Sequence, residues 1–164
     1  MMYSNRVSQK LHDEHMATLA LLERLGRFVA TKEAPKTVDI DTRTFLIDLA
    51  AAFDSEIWHH FAFEEKYLFE YLIESGDTEL AQHLTTEHEQ IRDIGGRTIA
   101  MARAAAISPF SPAAWREFGL LAQQLIDQLS AHVQKEEMAL LPAIEDAMDA
   151  ETEVRLLTEY VETA

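Results

Sequence analysis

Six side chains in this sequence are of the types that hold metal ions, and they recur at fixed spacing. His60-x-x-x-Glu64 is followed by Glu65 and, four residues after Glu64, by Leu68. His132-x-x-x-Glu136 is followed in the same way by Glu137 and Leu140. Residues i and i+4 share one face of a helix, so each stretch offers an imidazole and a carboxylate to one space. Two further histidines stand in a second repeated string, Leu11-x-x-Glu14-His15 and Leu84-x-x-Glu87-His88. A single His-x-x-x-Glu is explained by a local hydrogen bond between its own partners. Two copies, each with its own preceding histidine, are not explained that way.

The elements needed to bring these residues together are helices. Leu11, His15, Thr18, Leu22, Leu25 and Val29 step by fours and threes, the spacing of a helix seam facing a bundle. The same stepping gives Phe53, Ile57, His60, Glu64, Tyr67 and Tyr71, then Leu84, His88, Ile91, Gly95, Thr98 and Ala102, then Leu125, Leu129, His132, Glu136 and Leu140. Four helices are predicted over about 4–32, 42–75, 78–106 and 112–148, with Asp41, Asp77 and Ser111 as N-caps. Pro142 predicts a kink near Met138. A short fifth helix over 151–161 is expected to pack through Val154, Leu157 and Val161. The two repeated strings make the chain two helical hairpins of one design. The expected fold is all-α: a single domain over 1–164, an antiparallel up-down four-helix bundle with pseudo-two-fold symmetry and a short C-terminal helix.

On those seams four histidines and two glutamates occupy places where leucine would ordinarily sit. An ionised carboxylate buried without compensation is costly, and a cation is the compensation this set suits. The chain has no cysteine, which excludes thiolate sites and disulfides. Imidazole and carboxylate together favour iron, manganese or zinc over copper(I) or an iron–sulfur cluster. Glu64 and Glu136 reach inward from different helices and can each bridge two cations. His15 and His60 would then cap one cation, and His88 and His132 the other. Glu65, Glu137 and His59 lie about 100° around the helix from their neighbours; Glu65 and Glu137 are read as facing solvent or standing behind the ligands in contact with them, and His59 as a solvated or rim residue. His12 is read as a surface residue, with contact to a ligand the lesser alternative, and Tyr67 as core, with a hydrogen bond to a ligand or carboxylate the lesser alternative.

The order H…HxxxE…H…HxxxE, with HFxxEE at His60–Glu65, resembles the hemerythrin-like (HHE cation-binding) domain over nearly the whole chain. That resemblance implies two non-haem iron ions held by His15, His60, Glu64, His88, His132 and Glu136. It also implies an oxo or hydroxo bridge and the binding or sensing of oxygen, nitric oxide or a related small ligand. Manganese and zinc are the lesser candidates for the cofactor. One departure stands out. Oxygen carriers of this type have an HxxxH pair on the third helix, whereas Leu84 stands four residues before His88, and His83 falls on another face. Fewer histidines per metal leave more open positions, which favours sensing, peroxide decomposition or iron donation over transport.

Charge narrows the partners. A net charge of −15 argues against nucleic acid and against anionic membranes. No stretch reads as a signal peptide or a membrane span, and a cytoplasmic location is expected. The ferritin-like scheme, which needs Glu-x-x-His on two helices, is met once by Glu56–His59 and fails at Ala131 in the second repeat.

Overall fold

The computed structural model describes residues 2–164, which are 83% helical and contain no strand. Five helices follow in order: α1 Arg6–Val29, α2 over 40–74, α3 Thr78–Ala105, α4 over 112–147 and α5 Ala150–Glu162. Each begins at a side chain that accepts hydrogen bonds from otherwise unpaired backbone N–H groups. These caps are Asn5, Asp39, Asp77, Ser111 (followed by Pro112) and Asp149. The second helix is thus capped by Asp39, which accepts from the Thr42 N–H, while the expected Asp41 lies in the first turn. Gly76, at φ +95°, makes the tight turn between α2 and α3.

The core falls into two apolar clusters separated by a polar layer. One cluster takes Leu22 and Leu25 from α1, Leu46 to Phe61 from α2, Ile91 to Ala105 from α3 and Phe118 to Val133 from α4. The other takes Val7 and Leu11, then Phe63 to Leu72, then Ala81 and Leu84, then Leu140 to Ile144. The first helix therefore contributes its N-terminal half to the second cluster and the second helix its C-terminal half. The alternation continues through α3 and α4, so the four helices run up, down, up, down. Between the clusters, at the same level on every helix, lie the four histidines and two glutamates.

Neither α2 nor α4 is a continuous α-helix at that level. Wide π-helical turns occupy Ser55–His60, Glu64–Leu68 and Glu136–Leu140. In α4 the kink expected near Met138 takes the form of this wide turn, which contains Met138 and ends two residues before Pro142. The matching turn at Glu64–Leu68 contains no proline, so proline alone does not cause it. Single π turns collect at functional sites because they redirect side chains without breaking the helix.

The last helix also differs from expectation. It buries Leu156 and Tyr160 and packs Leu157 against the second cluster as expected, while Val154 and Val161 are exposed. Among the described residues no helix is long and apolar enough to cross a membrane.

Candidate metal centre

All six predicted residues are buried, with relative exposures of 0% or 1%. They come together in two overlapping sets, His15, His60, Glu64 and Glu136 on one side and Glu64, His88, His132 and Glu136 on the other. Within each set, one oxygen or nitrogen from every residue lies within 4.8 Å of all the others. Both glutamates belong to both sets.

Every imidazole presents Nε2 inward. His60 Nε2 is 2.7 Å from Glu64 Oε1, and His132 Nε2 is 2.7 Å from Glu136 Oε1. His15 Nε2 is 3.1 Å from Glu136 Oε2, and His88 Nε2 is 3.3 Å from Glu64 Oε2. Only the His60–Glu64 contact is aligned as a hydrogen bond; His15 Nε2, Glu64 Oε2 and both Glu136 oxygens are left without a hydrogen-bond partner. Buried polar atoms are rarely left so, and a cluster of them on one point calls for an ion. His88 Nε2 and His132 Nε2 stand 2.9 Å apart. Two imidazole nitrogens bound side by side to one cation at about 2.1 Å each would be about 3 Å apart. The donor set and its spacing therefore fit metal ions.

The outer nitrogens carry a second regularity. His15 Nδ1–H donates to Glu137 at 2.7 Å, His60 Nδ1–H to Glu14 at 3.2 Å and His88 Nδ1–H to Glu65 at 2.9 Å. His132 Nδ1 faces Glu87 at 3.5 Å, an ion-pair distance too long for a hydrogen bond. Each histidine is thus oriented by a carboxylate from another helix, the arrangement that fixes the tautomer and raises the basicity of a metal-binding imidazole. Glu14 and Glu87 are related by the internal repeat, as are Glu65 and Glu137. Of the two places open to Glu65 and Glu137, solvent or contact with the ligands, the structure shows the second: both are half-buried and turned onto histidines. Their azimuth was taken from a regular α-helix, whereas both sit in π turns. His12 is likewise no free surface residue, since it donates to Glu137 at 2.9 Å.

The remaining candidates lie outside the cluster. His83 is exposed, beside Lys135 at 3.0 Å. His59 is half-buried against the Tyr160 ring at 4.4 Å. Tyr67 does not reach the cluster, and its hydroxyl donates to Glu159 on α5. Leu84 is fully buried in an apolar cluster. Phe61 stacks on His88 at 3.7 Å, nearly parallel, so one wall of the centre is apolar and dry.

Without metal, protons occupy this layer. Burial disfavours charge on His15, but the Glu136 and Glu137 carboxylates facing its two ring nitrogens outweigh it and lift its pKa to about 9. His88 rises to about 10 against the same burial, through Glu136, Glu64 and Glu65. Glu136 moves the other way: burial pushes it up, and the surrounding His132, His15 and His88 hold it well below the carboxylate range. Glu56, one turn before His60, is different: its pKa is raised, chiefly by burial.

A profile of the hemerythrin HHE cation binding domain matches residues 6–153, nearly the whole chain. Among curated proteins none matches the chain.

Proposed function

The chain belongs to the hemerythrin HHE cation-binding family, and from that premise we propose that the buried layer holds two non-haem iron ions and binds oxygen, nitric oxide or peroxide there. The observation that carries this reading is the pair of overlapping ligand sets that share Glu64 and Glu136. His15 and His60 would hold one ion and His88 and His132 the other, with the two carboxylates common to both. Iron in such a position supplies electron transfer to, and Lewis-acid binding of, a small ligand.

The chain's own residues set the conditions for that chemistry. Glu14, Glu65 and Glu137 hold three of the imidazoles in one tautomer, with Nε2 free to coordinate, and Glu87 faces the fourth. Phe61, Ile57 and Leu129 exclude bulk water on one side, and Phe63, Leu68 and Leu140 do so on the other. Exclusion of water strengthens the electrostatic interactions inside the layer.

Protein loaded anaerobically with ferrous iron is expected to retain about two iron atoms per chain and to change its visible spectrum on exposure to oxygen or nitric oxide. A protein that retains no iron, or whose spectrum ignores both gases, overturns the reading. One observation favours a second reading, decomposition of peroxide: each set contains only two histidines, because Leu84 fills the apolar core where a third could stand. Oxygen evolution from peroxide by the iron-loaded protein, lost in Glu64→Ala, would select it over simple binding.

A further inference from the structure

A cavity of about 210 Å³ opens on one flank of the centre only a side chain away from the ligands. Glu14, Thr18 and Ala17 of α1, Ala52, Ser55, Glu56 and His60 of α2, and Tyr160 of α5 line it. Glu56 is more than nine-tenths buried, and its Oε1 has no hydrogen-bond partner. Its other oxygen, Oε2, is 3.5 Å from His60 Nδ1. Tyr160 closes the cavity by donating its hydroxyl to Glu14 at 2.7 Å. Lys10 reaches Glu14 only at 3.8 Å, from a partly exposed position.

The opposite flank, related by the internal repeat, is built otherwise. Gln128 stands where Glu56 does, 72 residues on, the interval that separates His60 from His132. Lys135 lies across Glu87 at 2.7 and 2.9 Å. Arg92 forks onto Glu65 at 2.9 and 3.3 Å. Two fixed cations therefore guard the His88/His132 half, whereas an acidic cavity with an unpartnered carboxyl oxygen borders the His15/His60 half. A dication approaching this protein is drawn to the cavity flank more strongly than to the opposite flank, where Arg92 and Lys135 cancel the carboxylate charge.

We propose that the cavity at Glu56 is the port through which divalent cations reach the centre, so that the His15/His60 half fills before the His88/His132 half. This rests on the two-metal reading above. Glu56 and Glu14 give the incoming ion oxygen ligands as it loses water, and His60, one contact further in, receives it. Tyr160 positions Glu14 at the mouth. Since Tyr160 lies beyond residues 6–153, the port uses a segment outside the family match.

Zinc is the probe, because its preferred donors are those present and it undergoes no redox change. Metal-free protein mixed with zinc in competition with a chelating dye should take it up about tenfold more slowly in Glu56→Gln, the residue of the opposite flank, with two zinc per chain still bound at the end. Ala52→Lys places a cation at the rim on an exposed helix face, leaves the fold intact and should slow uptake similarly. Uptake at the unaltered rate in both variants overturns the proposal. Crystals supplied with one zinc per chain give the second readout. Anomalous density is expected several-fold stronger at the His15/His60 position, and equal or reversed occupancy overturns the order of filling. Zinc at neither position counts against the two-metal reading itself, which separates that failure from this one.

Discussion

The two halves of the centre are alike on the inside and unlike on the outside. His15 and His60 match His88 and His132 in identity, burial and inward-facing nitrogen. Their carboxylate partners match as well: Glu137 and Glu14 on one half, Glu65 and Glu87 on the other. The likeness ends one contact further out. Glu65 and Glu87 are neutralised by Arg92 and Lys135, whereas Glu137 and Glu14 meet His12 and Tyr160. The difference teaches where each constraint lies. The ligands and their orienting carboxylates are bound by the shared geometry of the site, while the outermost layer is free to give each half its own electrostatic setting.

The largest expected effect comes from removing what the halves share. Glu136→Ala takes one ligand from both sets, and retention should fall from about two iron atoms per chain to fewer than one, read by metal analysis after gel filtration. An unchanged content would break the comparison at its centre.

The next effect is one of pH on the metal-free protein. His15 and His88 have folded pKa values raised to about 9 and about 10. The stability they contribute is fully present below their unfolded value of about 6.5 and is lost as pH rises through 9 to 10. The urea midpoint of the metal-free form should therefore fall between pH 7 and pH 10. With metal bound those nitrogens are occupied, and the midpoint should stay level over that range until hydroxide competes for the metal. Equal slopes for the two forms would show that protons and metal do not compete for this layer.

Lys135→Met sharpens the contrast between the halves. It removes the cation over Glu87, and zinc affinity at the His88/His132 half should rise several-fold with little change at the other, since a partly exposed charge is worth about 1 kcal/mol or less. Calorimetric titration would record the shift in the second binding step. Tyr160→Phe is the smallest change. It deletes the hydrogen bond on Glu14, worth about 1 kcal/mol, and should weaken the first step by several-fold while leaving the second alone. An equal change in both steps would mean that α5 acts only on the fold.

The sequence made the inner layer legible because repetition and period agree there. The same residue types return on the same seams, 72 or 73 residues apart, and apolar seams leave no other explanation for them. The carboxylates of the next layer were visible only in part. Glu14 and Glu87 stand in the repeated string, yet nothing in one helix says that they reach a histidine on another. For Glu65 and Glu137 the sequence left solvent and contact with the ligands both open, because a regular 3.6-residue turn does not describe the π turns that bring them onto histidines. The face of α5 was read in part. Leu157 packs on the second cluster as expected, whereas Val154 and Val161 face out and Tyr160 is drawn inward by Glu14, a partner 146 residues away that no local pattern reveals.

The central claim is that one layer holds two metal ions that share two carboxylates. Anomalous diffraction at the iron edge, from crystals of iron-loaded protein, tests it most directly. Two peaks are predicted, one between His15 and His60 and one between His88 and His132, both in contact with Glu64 and Glu136. A single peak, or iron bound elsewhere on the acidic surface, would contradict it.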